Sequence, residues 1–285
     1  MGESKVVREF SATQELCRSL IIAPFPSGSH RLFLFYSESR KSATPGGDVK
    51  LMTSQDCGKS WSEPRLILAH EAQGGVPKVT ANALVVGSDR TWYLPVHFEP
   101  YNSQDVFTWP AKAKSAKTEV FLPDHAPPQS FITSAGVLMS SDGGDSWRLG
   151  GVIEDSKHWV IQPALCRVGA RKLLALMRTD GGWVFCSRST DGGTTWSRSA
   201  ATSIPNPNAK IAALQWGTEK KSSSLALSLS DDQGYSFSKL VEMESAEGAA
   251  EPSSVLWAAN TVKVVYAVAG TLRLATLNLS QSAAA

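Results

Sequence analysis

One eight-residue pattern recurs four times and fixes most of what this chain can become. It reads SQDCGKSW at 54–61, SSDGGDSW at 140–147, STDGGTTW at 189–196 and SDDQGYSF at 230–237. The shared template is S-x-D-x-G-x-x-W, with Phe in the last place of the fourth copy. Such a template describes a tight hairpin turn. The Asp accepts hydrogen bonds from backbone N–H groups further along the turn. The Gly takes a backbone conformation that a Cβ would strain. The aromatic residue packs the turn on a sheet, and the Ser caps its other side. Asp56, Asp142, Asp191 and Asp232 are therefore expected to be structural, together with Trp61, Trp147, Trp196 and Phe237. Each Asp is occupied in holding its own turn.

Every copy follows a strand-like stretch: DVKLMTS, AGVLMS, WVFCSRS and SLALSLS in turn. Each precedes another, such as EPRLILA or KLVEME. The copies are spaced 86, 49 and 41 residues apart, and a four-stranded propeller blade takes ~40–50. Upstream strand candidates complete the blades: SLIIAPF and RLFLFYS for the first, ANALVVG and TWYLPVHF for the second, WVIQPALCRV and RKLLALMR for the third. The longest spacing is explained by an insertion at about 99–133, rich in Pro, Lys and Asp, which reads as an exposed loop. The fourth unit has IAALQW, then TEKKSS, and lacks a strand. A last unit, PSSVLWA, TVKVVYAV and TLRLATLNL, has three strands and no box, and the N-terminal SKVVREF could supply its missing outer strand. The expectation is an all-β propeller with five visible blades, one degraded, forming a single domain over 1–285.

Composition narrows the function classes. Apolar residues make up 42% and charged residues 19%, which excludes a disordered chain. The net charge of +2 comes from scattered Lys and Arg, so neither nucleic acid nor a membrane surface is an expected partner. No apolar run approaches the ~18 residues of a membrane span. The first 25 residues carry charges throughout, so no secretory leader is expected and the expected location is cytoplasmic. Cys17, Cys57, Cys166 and Cys186 are widely spaced with no CxxC pair, and a reducing compartment is the default. No HExxH, GxSxG, phosphate-cradling loop or zinc spacing occurs. The five histidines are scattered, and neither metal nor cofactor is expected.

Several residues stand out on their own chemistry. Arg178 ends the second strand of the third blade and suits either an anion or a partner such as Asp180. Asn206, Asn208 and Lys210 in IPNPNAKI either line a site or simply turn the chain. Lys78, Thr80 and Asn82 alternate along VPKVTAN, so they share one face of an extended segment, which suits a wet channel or plain solvent exposure. Glu251 is a loop carboxylate or a general base. Tyr266 belongs to the core or to a channel wall. His97 and Glu99 end a strand where the long loop begins, making them candidate rim contacts.

The boxes resemble those of the Asp-box (BNR) repeat proteins of the sialidase superfamily. Beyond the boxes, the resemblance rests on RLFLFYSESRKSATPGGDVKLMTSQDCGKSW, GGVPKVTANALVVGSDRTWYLP, the run from WVIQPAL to MRTDGGWVFCSRSTDGGTTWS, and IPNPNAKI. It implies a sialidase-type propeller, six-bladed in the family. The family site lies on the central axis. Three arginines hold the substrate carboxylate, a Tyr activated by a Glu is the nucleophile, and an Asp is the general acid/base. A neutral phenol does not repel an anionic substrate, and guanidinium forks match its carboxylate.

Carried over, Arg178 matches one of the three arginines. Gln162 stands where the activating Glu is usual, and Gln cannot take a proton. Ser222 and its neighbours occupy the place of another arginine, and Glu251 falls where the nucleophilic Tyr is expected. The blade that supplies the remaining Arg and the acid/base Asp has no counterpart before the first box. The first functional reading is a hydrolase acting on a terminal acidic sugar, with Arg178 on the carboxylate and Glu251 or Tyr266 near the reacting carbon. The alternatives are a non-catalytic propeller binding a glycan or a protein, or an incomplete family member.

Overall fold

The structure is a computed structural model that describes residues 16–25, 30–39, 47–69, 78–98, 133–206, 208–213, 225–229, 235–244, 249–258, 261–268 and 271–278. Among them there are strands and turns and no helix. The strands form antiparallel sheets in chain order. Sheet one is β1 (Leu16–Pro24), β2 (Leu32–Ser39), β3 (Asp48–Ser54) and β4 (Arg65–Leu68). Sheet two runs β5 (Lys78–Thr80), β7 (Trp92–Phe98), β8 (Ser134–Ser140), β9 (Arg148–Leu149), with β6 (Val85–Val86) also paired to β7. Sheet three is β10 (Val160–Arg167), β11 (Leu173–Thr179), β12 (Trp183–Ser189) and β13 (Ala200–Pro205). Sheet four holds β14 (Leu225–Leu229) and β15 (Ser238–Glu244), and sheet five β16 (Ala249–Ala258), β17 (Thr261–Val268) and β18 (Thr271–Asn278). The insertion at 99–132, SKVVREF, Ser222 and Asp232 lie outside the described residues.

The first strand of sheet two departs from expectation. ANALVVG is not one strand: β5 stops at Thr80 and pairing resumes at Val85. Opposite the break lies Pro95, whose carbonyl accepts from Ala81 N at 3.0 Å. Pro95 has no N–H to return, so the ladder lapses there.

The sheets stack face to face, because alternate residues of each strand point to opposite sides. Phe33, Phe35, Val49 and Leu51 of sheet one meet Trp92, Leu94, Val96 and Phe98 of sheet two. Tyr93, Val137 and Met139 on the other side of sheet two meet Val160, Leu173, Ala175 and Met177 of sheet three. Leu174, Leu176, Val184 and Cys186 form the far face of sheet three, against Ile204, Ile211 and Phe237. Each fully buried side chain of this size contributes about 1.5–3 kcal/mol, so these layers carry the fold.

Three turns have the expected geometry. Ser54, Ser140 and Ser189 donate to Asp56, Asp142 and Asp191 at 2.7–2.8 Å. The same hydroxyls accept from Gly58, Gly144 and Gly193 N at 2.8–2.9 Å. Each Asp accepts from the backbone N and the hydroxyl of Ser60, Ser146 or Thr195. These bonds, the hydroxyl's first, hold Asp56 and Asp142 well below the usual carboxylate range and bring Asp191 to about 2. The residue after each Asp is left-handed: Gly143 and Gly192 at φ 73° and 72°, but Cys57 at 60°. Non-glycine residues are uncommon there.

Box aromatics also reach the preceding sheet. Trp147 meets Phe35 edge to face at 5.5 Å, and Phe237 packs on sheet three. Arg65 of β4 donates to the Gly144 and Asp145 carbonyls of the second turn. The third turn differs. In the first two, the turn glycine's carbonyl accepts from the Trp indole, at 3.2 and 3.0 Å. Gly193 O instead accepts from Gly151 N of the chain following sheet two, at 2.9 Å, and the buried Trp196 indole N–H has no partner. A Cβ on Gly150 would lie 2.4 Å from Gly193 O, and one on Gly151 2.6 Å from Thr194 O. This close backbone approach requires the glycine pair.

Candidate functional site

The end of β11 that leads into β12 gathers the polar residues of sheet three. Arg178 continues the row Leu174–Leu176 and sits opposite Ile161 of β10. Just beyond Ile161 the register shifts by a bulge before Ala164, and Gln162 within it has φ 49°. Pro163 follows, and a residue before Pro is already restricted. The bulge turns the Gln162 amide onto Arg178, where Nη1 donates to Gln162 Oε1 at 3.2 Å. Nε donates to Asn208 Oδ1 at 2.6 Å. The guanidinium carbon lies 5.8 Å from the ring centre of buried Trp159.

Asn206 shapes the loop that delivers Asn208. Its N donates to Gly182 O at 2.9 Å, while its side chain both donates to Ala209 O and accepts from Ala209 N, at 2.8 Å each. Asn208 is exposed, at φ 61°. Asn82 braces the bulge from sheet two, donating to Gln162 O at 3.0 Å and Pro163 O at 3.2 Å. Four non-glycine residues have positive φ among the described residues: Cys57, Arg90, Gln162 and Asn208. Two of the four are the amide partners of Arg178. Asn tolerates this region, so Gln162 is the unusual one of the pair.

A guanidinium among amides can hold an anion. Arg is donor only, so each amide turns its oxygen to the guanidinium. These two partners are neutral. Their amide N–H groups make no hydrogen bond among the described residues. Gln162 has no proton to give or take at neutral pH.

Asp180 does not pair with Arg178. It takes His158 Nδ1 instead, at 3.1 Å. His158 is held by Asp155, which accepts from Lys157 N, His158 N and Ser199 Oγ. Burial raises the Asp155 pKa, but these hydrogen bonds outweigh it and the net direction is down. Trp159 and the His158–Asp180 pair went unread in the sequence. The available signal was the aromatic of WVIQPAL, in phase with Ile161 and Arg178.

Lys78 and Thr80 do not line a wet channel, and this corrects the reading of VPKVTAN. Both are fully buried, because sheet one covers that face: Thr80 N donates to Ser37 Oγ at 2.8 Å. Burial puts Lys78 out of reach of a ligand arriving from solvent. Only Asn82, past the end of β5, joins the cluster. Lys210 is half-buried in the Asn208 loop, and His97 is buried within β7. Glu99 lies outside the described residues.

Glu251 and Tyr266 are placed by register. In sheet five, Ala250 pairs Ala267 and Ser253 pairs Val265, with a bulge between. In sheet three, Ile161 pairs Arg178 and Ala164 pairs Leu176, with the same bulge. Glu251-Pro252 therefore repeats the position of Gln162-Pro163, with Tyr266 opposite it and Ala267 in the place of Arg178. Among the described residues no group of three or more His, Cys, Asp or Glu could hold a metal.

Residues 22–264 match the BNR repeat-like domain. The chain belongs to that family. Its fold is the sialidase type. A protein of unknown function from Dyadobacter fermentans is similar at 16% identity and TM-score 0.62, over 91% of this chain and 75% of that one. Trypanosoma rangeli sialidase, in a covalent-intermediate complex with 2,3-difluorosialic acid, is similar at 15% identity and TM-score 0.60, over 92% of this chain and 44% of that one. A K499G mutant of NanB sialidase from Streptococcus pneumoniae gives 13% and 0.53, over 88% and 38%. The family member described here thus spans less than half of either sialidase. No curated protein matches it.

Proposed function

We propose that this sialidase-superfamily protein recognises a terminal acidic sugar of a glycan at the Arg178 end of sheet three. The carrying observation is the grip on Arg178 by two neutral amide oxygens from residues held at positive φ. That arrangement fixes the guanidinium before a ligand arrives. Preorganisation of this kind reduces the ordering cost of binding, and the guanidinium fork fits a carboxylate. The test is calorimetric titration with sialic acid and with glucuronic acid. Arg178→Ala should weaken binding on the order of 100-fold. Unchanged affinity in that variant would overturn the assignment.

A second reading, hydrolysis, is favoured by sheet five. Its backbone register sets Tyr266 across from the Glu251–Pro252 bulge. Release of a fluorogenic acidic-sugar glycoside measures it. Turnover should vanish in Tyr266→Phe and Glu251→Gln while sugar binding persists. Absence of turnover in the native protein, with binding intact, leaves recognition as the function.

A further inference from the structure

The tetrapeptide Thr-Asp-Gly-Gly occurs twice, at 179–182 and at 190–193. An Asp-Gly bond has a chemistry of its own. The glycine nitrogen, with no Cβ beside it, can attack the aspartate Cγ and close a five-membered succinimide. The N–Cγ bond forms and a Cγ–O bond breaks. The oxygen leaves as water, with one proton from the nitrogen and one from the carboxyl group. Water then reopens the ring. Attack at Cγ restores aspartate, whereas attack at the former main-chain carbonyl gives isoaspartate, whose backbone runs through the side-chain methylene. Nothing else is consumed. The two tetrapeptides are identical, so the fold decides between them.

The structure holds them differently. The Asp191 carboxylate accepts from Ser189 Oγ, Thr195 N and Thr195 Oγ1 at 2.6–2.9 Å, and Gly192 N donates to Arg171 O at 2.9 Å. Both reacting groups are engaged. The same bonds bring the Asp191 pKa to about 2, while ring closure needs the protonated acid. Asp142–Gly143 of the second box has its carboxylate tied in the same way. Asp180 instead stands exposed in the turn between β11 and β12. Its carboxylate has one partner among the described residues, His158 Nδ1 at 3.1 Å. Gly181 N donates to the Thr179 hydroxyl at 2.9 Å, within its own turn.

We propose that Asp180–Gly181 is where this protein forms isoaspartate, and that the conversion frees Asn206. The added methylene lengthens the turn and carries the carboxylate away from His158. Gly182 O, two residues on, accepts from Asn206 N at 2.9 Å. Asn206 in turn fixes Ala209 through both ends of its amide. A displaced Gly182 therefore lets go of the segment that delivers Asn208. The modification stands whatever Arg178 binds.

The experiment ages the full chain for weeks in neutral buffer and digests it with trypsin, which cuts after Arg178, Arg188 and Arg198. Asp180 and Asp191 then fall in separate peptides, 179–188 and 189–198. Electron-transfer fragmentation tells isoaspartate from aspartate in each. Conversion in 179–188 should exceed that in 189–198 by about tenfold or more, since freeing Asp191 breaks at least one hydrogen bond to a charged group. A sample aged in urea should convert both alike. Equal conversion in the folded protein, or faster conversion at Asp191, overturns the proposal. So does a lead for Asp180 that persists in urea, because sequence context and not the fold would then decide. Deuterium exchange at the Asn206 amide should rise with the isoaspartate content. Asp180→Glu, which would need a larger ring, should not show that rise with age. Unchanged protection in the native protein, or an equal rise in the variant, overturns the link to Asn206.

Discussion

The three described Asp-box turns and the Arg178 cluster use the same side-chain chemistry to opposite ends. In the turns, a carboxylate is saturated by neighbours within four residues, and the same bonds recur at nearly the same lengths. At Arg178 the two amide partners come from 16 and 30 residues away, and both stand at positive φ. The turns spend their polar groups on themselves. The cluster is assembled from distant parts of sheet three and its following loop. Repetition marks the parts that build the sheets, and the Arg178 arrangement is not repeated among the described residues.

That contrast can be broken most directly at Arg178. Arg178→Ala should cost on the order of 100-fold in acidic-sugar affinity while shifting the melting temperature little. A large loss of stability with intact binding would make Arg178 another structural piece. Ser189→Ala tests the other side. It strips the buried Gly193 N–H of its acceptor and should destabilise by about 2 kcal/mol in urea titration, with sugar binding unchanged. A change in binding there would join the two regions. A smaller effect is expected from Cys57→Gly, which removes a left-handed non-glycine residue and should stabilise by about 1 kcal/mol; a loss would mean that the contact of Cys57 Sγ with His30 Nδ1 at 3.4 Å outweighs the strain.

The slightest effect is one of pH. Asp191 has a folded pKa of about 2, set first by the Thr195 hydroxyl, against about 3.9 for a free Asp. The folded turn therefore resists protonation more than the unfolded chain does. Its contribution is full above pH ~4 and fades as pH falls toward 2. Asp191→Asn should lessen the acid dependence of the urea midpoint across that window. Sugar affinity in the native protein should not follow this dependence.

The turns were legible in sequence because everything they need lies within eight residues. Arg178 was legible as a strand-end arginine, and Asn208 as part of a turn-rich loop. What brings them together was not. Gln162 reaches Arg178 through a bulge, and Asn82 braces that bulge from another sheet. Neither follows from periodicity, which reports sidedness along one strand. Lys78 and Thr80 make the same point. Their alternation identified a shared face, but burial depended on sheet one lying over it. His158 and Asp180 are 22 residues apart, a separation that a scan for short-range motifs passes over.

Gly151 gives the stacking of the sheets a timescale. Its amide proton is held by the carbonyl of Gly193 across the gap between sheets two and three. Exchange of that proton for deuterium requires the gap to open, while the ladders on either side can stay closed. Its rate therefore counts how often two neighbouring sheets part, a breathing motion distinct from the unfolding of either one.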